Sequence, residues 1–179
     1  MCRLIKYFIF EVLSKFVRAT KISLINNNIV EIPSNAFANK QDQLNEVILC
    51  CTSFKKLGNN AFSQLNNLTE LTFMLTSIDF IPEYGFEFSE QSEQQLTIDL
   101  GNNRLLNNSG FSIDTFTKLK RPTRLSFDNH LEDLNKFTYL DRKTFLPFFK
   151  SNDKNRIMIK HYHSIVVIAG INGYRTIPT

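Results

Sequence analysis

The chain has 179 residues, a net charge of +4, 42% hydrophobic residues and three cysteines. This length favours one domain, and no stretch approaches the roughly 20 apolar residues that would cross a membrane. The mild charge comes without a nucleic-acid-binding motif, and an odd number of cysteines argues against a disulfide framework.

The first predicted element is an amphipathic helix over residues 3–18. Its apolar residues fall on one helical face, whereas Lys6, Glu11, Lys15 and Arg18 lie mostly on the other. A signal peptide would need a longer apolar run and a small-residue cleavage site. We therefore predict that residues 1–18 cap the next unit, with a membrane-surface helix or a signal peptide as the alternative.

A repeat follows over residues 19–160, marked by a small residue and then a phenylalanine. The phenylalanines are 25, 24, 30 and 29 residues apart, at Ala36-Phe37, Ala61-Phe62, Gly85-Phe86, Thr115-Phe116 and Thr144-Phe145. A near-constant period predicts stacked supersecondary units. One unit cannot bury its apolar face alone, so each must pack on its neighbours.

Upstream of each phenylalanine, apolar residues two positions apart predict a short strand with one buried face. These pairs are Ile22 and Leu24, Val47 and Leu49, Leu71 and Phe73, Ile98 and Leu100, and Leu125 and Phe127, with Ile157 and Ile159 as a sixth, incomplete strand. Short polar residues follow where the chain leaves the strand, and we expect them to bond the backbone of their own and neighbouring turns. They are Asn27, Thr52, Thr76 and Asn103.

The later units are less regular. The fourth carries extra residues before Phe116, and the fifth contains a predicted loop at 128–136. Residues 161–179 form a separate C-terminal segment. Its apolar run at 164–169 predicts an edge strand that closes the stack, and Gly173 and Pro178 act as breakers in the tail.

Cys50 and Cys51 are adjacent, and side chains alternate across a strand. We interpret Cys50 as an exposed thiol and Cys51 as a small core residue. Adjacent cysteines rarely bond to each other, and a redox role is the minor alternative.

The sequence contains no phosphate-binding glycine loop and no nucleophile elbow. His161 and His163 are a candidate metal pair, but no cysteine or carboxylate cluster accompanies them. We therefore predict no catalytic residues, no metal and no cofactor. The densest basic set is interpreted as a solvated face; it comprises Lys118, Lys120, Arg121 and Arg124.

The strand pattern, the turn residue and the Ala-Phe ending together resemble the typical leucine-rich repeat of about 24 residues, found mostly in extracellular proteins. The resemblance covers 19–160 and implies an α/β fold: a leucine-rich-repeat solenoid of about five repeats, with a curved parallel sheet on the concave side and an irregular or helical convex side. Extracellular members commonly end in a cysteine-bonded cap, and no cysteine follows Cys51. The segments 119–125, 139–141 and 145–149 are also similar to secreted arthropod leucine-rich-repeat proteins, some of them named as non-catalytic subunits of a luciferin monooxygenase.

The concave sheet is the predicted working surface, since alternate strand residues point outward there. Apolar anchors within a polar rim suit a protein ligand, and the alternative is a merely solvated face. The predicted binding residues are Ser23, Ile25, Glu46, Ile48, Glu70, Thr72, Met74, Thr97, Asp99 and Arg124. By register, Lys21, Cys50, Gly101, Ser126 and Asp128 share this face.

The sequence thus favours a non-enzymatic protein-binding module, secreted or on the cell surface, whose partner is a protein and not a nucleic acid or small molecule. Glycosylation sequons begin at Asn67 and Asn107. Two alternatives remain open: an intracellular adaptor or substrate-recruiting subunit, and a non-catalytic subunit of an extracellular enzyme complex. The free cysteines and the missing signal favour the intracellular one.

Overall fold

The computed structural model describes residues 15, 18–37, 43–63, 65–88, 92–105, 108–128, 141–161, 164–169 and 173–178. These residues form a parallel β-solenoid of about four turns, with a repeat of about 25 residues and little helix. The predicted stack of repeated units is therefore confirmed. The N-terminal helix predicted over 3–18 lies outside the described residues, apart from Lys15 and Arg18.

One sheet runs the length of the described solenoid. Its strands lie in the order β1 (Lys21–Ile25), β3 (Glu46–Cys50), β5 (Glu70–Met74), β6 (Leu96–Asp99), β7 (Thr123–Asp128), β8 (Arg156–His161), β9 (Ser164–Ala169) and β10 (Gly173–Pro178). The pairs from β1 to β8 are parallel, and β8, β9 and β10 are antiparallel. The sixth strand suggested by Ile157 and Ile159 is present as β8.

A second, two-stranded parallel sheet pairs β2 (Glu31–Ile32) with β4 (Lys56–Leu57). Here neighbouring coils approach each other closely. A Cβ atom on Gly58 would lie 2.2 Å from the backbone nitrogen of Ser34, and the Gly58 amide donates to the Ile32 carbonyl at 2.8 Å. A side chain at position 58 would therefore force the two coils apart.

The register of the main sheet is regular although the units differ in length. In one row Lys21 pairs with Glu46, Glu46 with Glu70, Glu70 with Thr97, Thr97 with Arg124, and Arg124 with Arg156. The alternate residues of each strand point inward and form the core rows. Val47, Leu71, Ile98, Leu125 and Ile157 are fully buried in one of these rows.

Phenylalanine rings fill the space between the sheet and the return segments. Phe37 stacks on Phe62 at 5.7 Å between ring centroids, and Phe86 stacks on Phe116 at 6.0 Å. Phe116 also contacts Phe145 at 5.3 Å. The repeated phenylalanines are thus core residues that bridge adjacent coils. Their small preceding residues are buried as well; these are Ala36, Ala61, Gly85, Thr115 and Thr144.

The fifth of these phenylalanines lies on a helix, α1 (Arg142–Ser151), and not on an irregular return. Asp141 caps this helix, because its carboxylate accepts from the Thr144 amide at 3.0 Å. A short 3₁₀ turn spans Asn108–Gly110. The rest of the fifth unit, 129–140, lies outside the described residues.

The turn after each strand follows the prediction in part. Asn103 is fully buried, and its side-chain amide donates to the carbonyls of Phe73 and Leu100. Its side-chain oxygen accepts from the backbone amide and from the hydroxyl of Thr76. Asn103 therefore bonds both its own coil and the preceding one. Thr52 accepts from the Phe54 amide within its own turn, and Asn27 donates to the Ile25 carbonyl.

The prediction for the two cysteines is wrong. Cys50 is buried and Cys51 is exposed. The strand ends at Cys50, and Cys51 adopts a left-handed backbone conformation with a φ of 56°, so the alternation of strand side chains no longer applies to it. Asn26, Leu75 and Asn102 occupy the corresponding corner in other coils, with φ between 52° and 54°.

The C-terminal segment forms two strands. The predicted strand at 164–169 is present as β9, but the sheet continues to β10. Pro178 is the last residue of β10, and its missing amide hydrogen is tolerated because β10 is an edge strand of the sheet. The edge of the described sheet is therefore β10. Gly173 and Pro178, which were predicted to break the tail, are the first and last residues of this strand.

Candidate functional site

The solvent side of strands β1, β3, β5, β6, β7 and β8 is the candidate site, and we call it the ladder face. Its rows follow directly from the strand register. The first row is Lys21, Glu46, Glu70, Thr97, Arg124 and Arg156; the second is Ser23, Ile48, Thr72, Asp99, Ser126 and Met158; the third contains Ile25, Cys50 and Met74. All ten predicted binding residues therefore lie on one face of one sheet.

These residues differ in how much surface they present. Ser23, Ile25, Glu70 and Arg124 are exposed, and the side chain of Ile25 retains 49% of its accessible area. Another group is half-buried, comprising Glu46, Ile48, Met74, Thr97 and Asp99. Thr72 is buried, and its hydroxyl donates to the Glu70 carboxylate at 3.3 Å. Thr72 therefore orients Glu70 more than it offers a contact of its own.

Charge is unevenly distributed along the ladder face. Glu46, Glu70 and Asp99 lie on the adjacent strands β3, β5 and β6, whereas Arg124 and Arg156 lie on β7 and β8. Neighbouring strands are about 4.8 Å apart. The face thus has an acidic part and a basic part side by side.

At the β1 end, one of the acidic groups is neutralised. The Lys21 ammonium lies 2.8 Å from the Glu46 carboxylate. The side chains of Lys21 and Glu46 keep 50% and 24% of their accessible area, so water screens the pair and it contributes little to stability. Its effect is on the surface potential, since it leaves Glu70 and Asp99 as the centre of the acidic part.

Strand β8 adds two residues to this face that were not predicted to lie there, Arg156 and Met158. The Arg156 guanidinium donates to the backbone carbonyls of Asp153 and Asn155 at 2.7 and 2.8 Å, and Arg124 donates to the Met158 sulfur at 3.0 Å. Both arginines are therefore held in place. The alternation of Ile157 and Ile159 was the signal that could have placed Arg156 and Met158 here.

The basic set predicted as a single solvated face is divided in the structure. Lys118 pairs with Glu87 at 3.1 Å and lies over the Tyr84 ring, whereas Arg124 is on the ladder face. Arg121 is 1% exposed, and its burial lowers the pKa of the guanidinium. These positions do not form one cationic surface.

A shallow cleft of about 350 Å³ lies between the fourth coil and helix α1. It is lined by Thr117, Lys120, Pro147, Lys150 and Ser151. Its described lining has two ammonium groups and two hydroxyls but neither a carboxylate nor an imidazole.

Other classes of site find little support in the part of the chain that the structure describes. Within it, no three or more His, Cys, Asp or Glu side chains come together as metal ligands. Nor does any helix there have the length and apolar character to span a bilayer. The side chains of His161 and His163 lie outside the described residues, as does the sequon asparagine Asn107, whereas Asn67 is exposed.

The sequence matches no protein-family model and no curated protein.

Proposed function

We propose that the chain is a non-enzymatic protein-binding module of the leucine-rich-repeat type, and that the ladder face is its concave binding surface. The observation that carries the proposal is the division of this face into an acidic part around Glu70 and Asp99 and a basic part around Arg124 and Arg156. Repeat solenoids commonly bind through such extended faces.

The composition of the face supports a protein partner. Ile25, Ile48 and Met74 provide apolar surface between the charged residues, which matches the apolar centre and polar rim of protein interfaces. The partner in this proposal presents basic groups opposite Glu70 and Asp99 and acidic groups opposite the arginines. Complementary charge of this kind sets partner choice and association rate.

The test is a comparison of matched variants in affinity capture from native source material. Glu70→Lys with Asp99→Lys reverses the acidic part, whereas Asp79→Lys with Glu93→Lys makes the same charge change at exposed positions outside the strands. We expect the first variant to lose the partner retained by the unmodified chain, and the second to keep it. Equal capture by both variants would contradict the choice of surface.

The proposed compartment is extracellular, with Asn67 as a glycosylated residue. Its exposure supports this, because an oligosaccharide needs a solvent-facing asparagine. Material from the native source is expected to lose mass on treatment with an N-glycosidase, and Asn67→Gln to remove that change. An unglycosylated Asn67 would favour the other candidate.

That second candidate is an intracellular adaptor on the same solenoid. The observation that favours it is that both described cysteines are free thiols, which is typical of reducing compartments. The binding surface and its test are the same in both cases.

A further inference from the structure

The adjacent residues Cys50 and Cys51 bring their sulfur atoms into direct contact. Their Sγ atoms are 2.9 Å apart, and one thiol donates to the other. Cys50 is 8% exposed, whereas Cys51 is exposed. A small reagent can therefore reach the Cys51 sulfur from solvent, and the buried Cys50 sulfur lies in contact with it.

The fold imposes this contact. Cys51 has a φ of 56°, a conformation that residues other than Gly, Asn and Asp rarely adopt. Neighbouring coils hold the dipeptide on both sides: the Asn26 amide donates to the Cys50 carbonyl at 3.1 Å, and the Cys51 amide donates to the Met74 carbonyl at 3.2 Å. The two thiols thus face each other because the sheet fixes the backbone around them.

We propose that Cys50 and Cys51 are a redox modification site, which a low-molecular-weight disulfide such as oxidised glutathione converts to an intramolecular disulfide. In the first step the Cys51 thiolate attacks the reagent and releases one thiol, leaving a mixed disulfide on Cys51. In the second, the Cys50 sulfur gives up its proton and attacks the Cys51 sulfur, and the second reagent thiol leaves. Two protein thiols are oxidised and one reagent disulfide is reduced to two thiols. This site does not depend on the proposed function.

The product is a reversible modification and not a structural crosslink. Adjacent Cα atoms are about 3.8 Å apart across a trans peptide, below the roughly 4.4 Å lower limit of ordinary disulfides. The ring is therefore strained, and strained, accessible disulfides are the ones that are readily reduced. Burial raises the pKa of the Cys50 thiol to about 11, which favours Cys51 as the attacking group.

The experiment uses the full chain with Cys2→Ser, so that only this pair can react. The protein is equilibrated with mixtures of reduced and oxidised glutathione, folded or in concentrated urea, and remaining thiols are alkylated. Trypsin places both cysteines in the peptide of residues 41–55. We expect this peptide to lose two hydrogens and to resist alkylation. The folded chain should reach this state at a ratio of oxidised to reduced glutathione about tenfold lower than the denatured chain requires.

Single variants separate the two steps. Cys50→Ser is expected to stop at a stable glutathione adduct on Cys51, and Cys51→Ser to react little because Cys50 is buried. The proposal is overturned if the folded Cys2→Ser chain keeps two alkylatable thiols or accumulates the mixed disulfide. Covalent dimers, or equal oxidation of folded and denatured chains, would overturn it as well.

Discussion

At the scale of single residues, the corner that follows β1, β3, β5 and β6 requires a residue with a positive φ. Asn26 and Asn102 meet this requirement with a residue that tolerates a left-handed backbone, whereas Cys51 and Leu75 do not. For residues other than Gly, Asn and Asp, this conformation costs about 1–2 kcal/mol. Leu75 is also exposed, so little packing compensates for that cost.

Leu75→Asn is therefore expected to raise the free energy of unfolding by about 1 kcal/mol. Urea denaturation measures the change. Asn26→Leu is the matched control, since it makes the opposite exchange at the equivalent corner and should lower the free energy of unfolding by a similar amount. Equal stability of all three chains would contradict the importance of this corner.

The Cys50 thiol gives the fold a pH dependence in the alkaline range. Burial, with the bond to Cys51, raises its pKa from 9.0 to about 11 in the folded chain. Between these values the folded chain keeps a proton that the unfolded chain releases. This contribution to stability is complete below pH 9 and is lost as the pH rises through about 11.

We expect the chain to lose stability relative to Cys50→Ala over this interval, by a difference on the order of 1 kcal/mol. Urea titrations of both proteins at pH 8 and at pH 10.5 measure it, because the variant retains every other titrating group. Parallel loss in the two proteins would show that Cys50 carries no such linkage.

At the scale of elements, neighbouring coils are joined by more than the strand ladder. Asn103 uses one buried amide group to bond two carbonyls and to accept from Thr76, so it fixes the turns of two coils together. Removing that side chain would leave buried polar groups without partners. Each such group costs about 1–3 kcal/mol.

Asn103→Ala is expected to lower the free energy of unfolding by about 3 kcal/mol. Asn27→Ala removes the same side chain from the first coil, where a single bond to the Ile25 carbonyl is seen, and should cost less than about 1 kcal/mol. Chemical denaturation of the two variants in parallel is the measurement. Similar losses in the two variants would mean that burial does not decide how much this turn side chain contributes to stability.

At the scale of the whole molecule, Arg121 connects distant parts of the chain. Its guanidinium donates to the Asn66 carbonyl at 3.0 Å and to the Gln94 carbonyl at 3.1 Å, and it lies over the Phe88 ring. One side chain thus bonds the starts of two earlier units to its own.

Arg121→Lys retains the charge but loses the planar fork that reaches both carbonyls. We expect the unfolding free energy to fall by about 2–3 kcal/mol, the cost of unsatisfied buried groups. Lys120→Ala, at the exposed neighbouring position, should change it by no more than about 0.5 kcal/mol. Thermal or urea unfolding of both variants tests this, and an unaffected Arg121→Lys chain would contradict it.

The sequence predicted those features that depend on local alternation and not those that depend on distant partners. Pairs such as Val47 and Leu49 indicated the strands and, with them, the outward rows of the ladder face. Arg121 stands among Lys118, Lys120 and Arg124, so nothing near it in sequence reveals its burial; its acceptors are up to 55 residues away. Cys51 was misplaced because a left-handed corner at a cysteine has no local signal.

Spacing between successive strands varies while their pairing does not. Equivalent residues are 24 apart from β3 to β5 and 32 apart from β7 to β8, yet both pairs keep one register. The register of the sheet therefore does not depend on how many residues lie between its strands. A short epitope or fluorescent label inserted between two strands, at an exposed position such as Glu93, would therefore leave the pairing of the sheet unchanged.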